Sequence, residues 1–189
     1  MTKLTTPNTN LQLRNSRSLM LSGDLYVFTD GPLLTKYSNL SNISELKKRP
    51  LARPFLPSFI SMYSVVGYCD REIYLTGGYS WPEAVDSVCM YDVKTNAWKD
   101  SVVSSAIPAL TKARFGHSSC IHGSKLYVFG GQSQTGFVNS IELIQLSLGN
   151  NKNNGWDLLS QPLLARMDSV VFPVSDTEIA IIGGMGDQF

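Results

Sequence analysis

Residues able to do acid–base or metal chemistry are few in this chain and poorly spaced for it. His117 and His122 are the only histidines. Their separation fits no HExxH pattern, and on one strand they would point to opposite faces. No metal site is expected, and no cofactor. Cys69, Cys89 and Cys120 form no CxxC pair, and an odd number at long spacings argues against a disulfide framework. They read as small buried apolar side chains. Acidic residues such as Asp86, Asp92 and Glu142 are scattered, so paired general acid–base work has no basis. GxSxG, P-loop and dinucleotide fingerprints are absent. The chain is therefore not expected to be an enzyme. Contact chemistry is better represented. Trp81 stands beside Pro82 in the stretch Tyr79 to Ala84, and Phe137 closes a second stretch that begins at Gln132. Aromatic rings on exposed loops anchor partners, which makes Tyr79, Trp81, Gln132 and Phe137 candidate partner-binding residues. The competing reading packs Trp81 and Phe137 on a neighbouring sheet.

The elements that must position these loops are announced by an internal repeat. Three glycine pairs, Gly77-Gly78, Gly130-Gly131 and Gly183-Gly184, each follow a short apolar run: EIYLTGG, KLYVFGG and EIAIIGG. Successive pairs stand 53 residues apart. A decayed copy, DLYVFTDG, lies upstream from Asp24 to Gly31. Other residues recur in phase. Trp98 follows Tyr91 by seven residues, and Trp156 follows Ile144 by twelve, the excess being the polar insertion GNNKNNG. Arg114 precedes Gly130 by 16 residues and Arg166 precedes Gly183 by 17.

Apolar runs bounded by turn residues read as short strands, and runs apolar on both faces are covered on both sides. One period holds four such segments, at 118–121, 125–129, 138–146 and 155–159, with His122-Gly123-Ser124 as the tight turn between the first two. No stretch carries a helical period, and the best candidate for a helical turn is the short 44–48. Composition narrows the class further. The chain has 189 residues, a net charge of +1 and 16% charged residues, so no electrostatic footprint points to nucleic acid or an anionic membrane. It contains no apolar run of spanning length and no apolar signal-peptide core near the N-terminus. A cytoplasmic protein is expected. Lys47-Lys48-Arg49-Pro50 is similar to a minimal nuclear-import signal, which leaves nuclear access open, although a solvated loop between sheets is the simpler reading.

A four-stranded unit of ~50 residues is the blade of a β-propeller. A glycine pair ending the second strand permits a sharp exit and close backbone approach near the axis, and Tyr91, Trp98 and Trp156 would fill the gaps between blades. The run from Ile73 to Trp98, IYLTGG followed by MYDVKTNAW, resembles the kelch repeat family: a glycine pair closes one strand, then come a spaced tyrosine and tryptophan. The next copy keeps Gly130, Gly131 and Trp156 but has Ile144 in place of the tyrosine, and the first copy has neither the glycine pair nor the tryptophan. The resemblance implies an all-β, kelch-type β-propeller fragment of about three and a half four-stranded blades. These would span 16–48, 58–100, 115–160 and 168–189, the last being half a blade, behind an extended or disordered segment 1–15. Open terminal blades would favour self-association. The resemblance further implies a non-catalytic protein–protein interaction module, of cytoskeletal or ubiquitin-ligase adaptor type, with a protein partner. The alternatives are a fragment of a kelch-like propeller enzyme, or a truncated product without a role of its own. In resembling domains, arginines at the first strand's start line the channel mouth and grip acidic peptides, which nominates Arg114 and Arg166. In the second blade Ser61 is read as occupying the position of Arg114.

Overall fold

The computed structural model describes residues 17–29, 33–38, 40, 47–50, 61–100, 107–147, 155–160 and 164–186. The N-terminal segment 1–15 lies outside them. The described residues are all-β, and no helix among them is long and apolar enough to cross a membrane.

Three four-stranded antiparallel sheets succeed one another along the chain. The first is β1 (Arg17–Leu21), β2 (Asp24–Thr29), β3 (Leu33–Ser38) and β4 (Lys47–Pro50), ordered as in sequence. The second is built of β5 (Ser64–Tyr68), β6 (Glu72–Thr76), β9 (Val88–Asp92) and β10 (Ala97–Asp100), with a two-stranded hairpin, β7 (Tyr79–Ser80) and β8 (Glu83–Ala84), between its middle strands. The third repeats that plan with β11 (Ser118–His122), β12 (Lys125–Phe129), β15 (Ile141–Gln145) and β16 (Asp157–Leu159), its hairpin being β13 (Gln132–Ser133) and β14 (Gly136–Phe137). A two-stranded sheet follows, β17 (Arg166–Pro173) and β18 (Ile179–Gly186). The basic run Lys47–Pro50, read from sequence as a loop, is instead the edge strand β4, paired with β3 through Lys36↔Arg49 and Tyr37↔Lys48. Of the helical turn expected over 44–48, Lys47 and Lys48 lie in that strand, and 44–46 fall outside the described residues.

The central strands of the second and third sheets are apolar on both faces because each of these sheets is packed between two others. Every residue of β6 is buried. Its Ile73 and Leu75 join Tyr26, Phe28 and Leu34 of the first sheet, while Tyr74 faces the other way and packs with Leu126, Val128 and Ile144 of the third. Tyr91 lies in the first of these layers with Trp98 packed against it at 5.1 Å between ring centres. Trp156 closes the second layer and donates its indole N–H to the Pro108 carbonyl at 2.9 Å. A third layer sets Cys120, Phe129 and Ile141 against Val171, Ile179 and Ile181 of the two-stranded sheet. Burying one such aliphatic side chain is worth about 1.5–3 kcal/mol. Cys89 and Cys120 are buried within these layers, and burial pushes the Cys120 thiol up to about 11. Cys69 departs from its sequence reading and sits exposed on the turn after β5.

Candidate functional site

Successive sheets are joined at the starts of their innermost strands, and the joint is made of main-chain atoms. The Gly78 N–H donates to the Arg114 carbonyl at 2.8 Å, and one repeat later the Gly131 N–H donates to the Arg166 carbonyl at 2.8 Å. The Arg114 N–H returns to the Val85 carbonyl at 3.1 Å. Approach this close requires glycine. Gly77 sits at φ 55° with room for no Cβ, since one would stand 2.5 Å from the Arg114 carbonyl oxygen, and a Cβ at Gly131 would stand 2.7 Å from that of Phe115. The same turn that brings strand starts against the glycines throws the two hairpins outward at this end of the sheets.

The hairpins carry the loop residues singled out in the sequence. Trp81 is 84% exposed at the tip of β7–β8. Tyr79, half-buried at the base, lies between Trp81 and Phe115, 6.1 and 4.9 Å away between ring centres. In the neighbouring hairpin Gln132 pairs with Phe137, both half-buried, and the Gln132 main chain pairs with Phe115. Gln134 Nε2 donates to the Pro82 carbonyl at 2.8 Å, so the two hairpins touch. Tyr79, Trp81, Gln132 and Phe137 thus share one continuous face. Phe115, which sequence reading missed, belongs to it.

Arg114 does not belong to that face. Its exposure is 0%. Nη1 donates to the Gly130 and Ser140 carbonyls, Nε to the Lys112 carbonyl, and Nη2 to Ser140 Oγ and to the Glu142 carboxylate. Glu142, scattered among the acids in sequence, is its fully buried ion partner and also accepts from the Thr111 N–H at 2.7 Å. Burial pushes the Arg114 guanidinium down from its ordinary range, and the Glu142 charge opposes that shift. The expectation that Arg114 grips a partner is corrected accordingly: all its nitrogens are spent inside the third sheet. Arg166 repeats two of these bonds, Nε to the Leu164 carbonyl at 3.4 Å and Nη1 to the Gly183 carbonyl at 2.9 Å, but remains half-exposed and meets no carboxylate among the described residues. Ser61 is not the counterpart of Arg114. It bridges to Tyr79 as Phe115 bridges to Gln132, which places the arginine position at 60, outside the described residues.

The innermost strands of the sheets line a cleft of about 570 Å³ that holds Arg17, Ser64, His117, Ser119 and Asp168. Four of its serines are bonded to one another rather than to a base: Ser64 Oγ meets Ser119 Oγ, and Ser118 Oγ meets Ser169. His117 is buried with Nε2 at 2.9 Å from Thr76 Oγ1, a link between the second and third sheets. Burial and the nearby Arg114 charge push its pKa down to about 3, so the ring is neutral at physiological pH. His122 bonds through Nε2 to the Asp176 carbonyl at 2.7 Å. Among the described residues no three His, Cys, Asp or Glu side chains gather as metal ligands.

Comparison with known proteins accounts for the repeat. The Kelch motif matches residues 62–100 and 113–148. The chain is 35% identical over 105 residues to Kelch domain-containing protein 3 of Bos taurus, an overlap of 52% of this chain and 26% of that protein. Kelch domain-containing protein 1 of Mus musculus is 31% identical over 77 residues, 41% of this chain and 16% of its own length. Tip elongation aberrant protein 3 of Schizosaccharomyces pombe is 36% identical over 87 residues, covering 43% and 7%. These matches span about a quarter or less of the curated relatives. The solved structure of YjhT superposes with a TM-score of 0.67 over 87% of this chain and 56% of that one, at 16% identity. At that identity the likeness speaks to the fold: the sheets are successive blades of a kelch-type β-propeller.

Proposed function

We propose, from the premise that this chain belongs to the kelch repeat family, that it is a non-catalytic scaffold holding a protein partner on the face formed by the two hairpins. The observation that carries this reading is Trp81, a large ring left 84% exposed while its base is held by Tyr79 and its neighbour Pro82 by Gln134. A rigidly mounted, solvent-facing indole gives a partner contact area with little side-chain ordering left to do. Tyr79 and Phe137 extend the apolar surface, and Gln132 and Gln134 add hydrogen-bonding groups around it. The relatives that carry kelch in their names support a scaffold of this general type.

The test replaces one residue and keeps the joint intact. A photo-crosslinking residue at position 137 should capture the same partner from cells reproducibly, and Trp81→Ala should weaken the interaction with that purified partner by about tenfold or more. Lys125→Ala, at the exposed start of β12, should leave it unchanged. Equal affinity for wild type and Trp81→Ala would remove the hairpin face as the binding surface.

A further inference from the structure

The burial of Arg114 changes the sign of the charge displayed on the hairpins. Residues 79–86 read YSWPEAVD and residues 132–139 read QSQTGFVN, with two acids, Glu83 and Asp86, and no base. The guanidinium that would have made this end of the sheets cationic is spent on Glu142 inside the third blade. The two acids differ in their surroundings. Asp86 lies where the segment 110–114 runs alongside the hairpin. Its main-chain carbonyl accepts from the Leu110 N–H at 2.9 Å, that of Val85 accepts from the Arg114 N–H at 3.1 Å, and the exposed Lys112 stands between those two contacts in sequence. Glu83 is at the other end, exposed at the tip, where it closes the two-residue turn opposite Ser80. It has no ion partner among the described residues. Trp81 is two positions away, so the two Cα atoms are at most about 7 Å apart. Its indole is 84% exposed and meets Tyr79 at 75° between ring planes, which leaves at least one indole face open to solvent.

We infer that the tip of β7–β8 is an arginine-binding site, and that the partner held on the hairpin face presents an arginine to it. The inference rests on that face being the binding surface and adds what the face selects. The guanidinium lies flat on the Trp81 indole and donates to the Glu83 carboxylate. Among aromatic rings the indole attracts a cation best. Arginine outranks lysine because its planar, weakly hydrated guanidinium stacks on a ring while offering a fork of donors to a carboxylate. An ammonium must shed a tighter water shell to do either. An acidic segment is disfavoured by the same charges, since it would meet Glu83 with no base on either hairpin to answer it.

The probe is a synthetic peptide of about four Gly-Arg repeats, compared with its Gly-Lys and Gly-citrulline counterparts, citrulline being the neutral isostere of arginine. The full chain, labelled with nitrogen-15 at its tryptophans, gives one indole N–H signal each for Trp81, Trp98 and Trp156, and Trp81→Phe assigns the first. The Gly-Arg peptide should shift the Trp81 signal saturably and leave those of Trp98 and Trp156 in place. The Gly-Lys peptide should bind about threefold more weakly, and the Gly-citrulline peptide about tenfold more weakly. Glu83→Gln should weaken the Gly-Arg peptide by about fivefold or more. Asp86→Asn removes the same charge from the other end of the hairpin and should change its affinity by less than about twofold. A Gly-Arg peptide that leaves Trp81 unmoved, binds no better than the lysine or citrulline peptide, or responds equally to the two carboxylate variants would overturn the assignment. These arms need no natural partner, so they fail separately from the hairpin face. A crosslinked partner weakened by Trp81→Ala yet indifferent to Glu83→Gln would keep the face and remove the arginine.

Discussion

Arg114 carries a positive charge into a place no water reaches. Such a charge is tolerated only because Glu142 neutralises it and four further acceptors take up the remaining donors. Removing one member strands the other. Arg114→Met should lower stability by about 3–5 kcal/mol in urea unfolding, and adding Glu142→Leu should restore a large part of the loss, because the pair together is far less costly to replace than either alone. His117 makes the opposite bargain with burial. Its ring stays neutral with a pKa near 3 in the folded chain against an ordinary 6.5, so the unfolded chain binds the proton more readily. The stability this contributes is complete above about pH 6.5 and falls as pH drops toward 3, with a slope of at most about 1.4 kcal/mol per pH unit. Unfolding midpoints measured at pH 7, 6 and 5 should decline in wild type. His117→Gln, which can keep the bond to Thr76, should show a shallower decline.

At the scale of the element, the glycine pair separates two demands that usually coincide. Gly77 and Gly123 share nearly the same left-handed backbone, at φ 55° and 60°. Only Gly77 also faces a neighbour where its Cβ would fall; Gly123 has open space. Gly123→Ala should therefore cost the conformational term alone, about 1–2 kcal/mol. Gly77→Ala should exceed it by about a further 1–3 kcal/mol as the strand start at Arg114 is forced away. Equal losses in chemical denaturation would mean that the joint relaxes freely. The period of these pairs was readable in sequence because glycine is irreplaceable there. The equivalent bend at each strand start was not readable. Met62, Gly116 and Asp168 all take the left-handed conformation, at φ 54°, 60° and 55°, yet their side chains share nothing that would mark it. The basic run of β4 hid its strand for a related reason: pairing with β3 is a backbone affair, and an edge tolerates charge. The hairpin face was legible in part, since Trp81 is an aromatic in a turn-rich stretch. Phe115 was not, because its role comes from packing on Tyr79 across a blade boundary.

Across the whole molecule, stability is laid down between neighbours. Each apolar layer draws on two consecutive sheets, so no blade completes its own interior. Arg114 could not be placed from the sequence because its fate depends on Glu142, 28 residues away, and on a burial that only the stacked sheets create. The main-chain joint between blades, by contrast, is indifferent to side chains. Gly78 to Arg114 and Gly131 to Arg166 are peptide-group bonds at the same length, and all they ask of the sequence is a missing Cβ on one side. Modules coupled in that way are interchangeable parts. A chimaera that swaps one repeat for a divergent one keeps its connectors so long as the doublet survives, and the exchange is free to rewrite everything displayed on the hairpins. Duplication followed by drift in the displayed loops is thus an easy route to new specificities on an unchanged chassis.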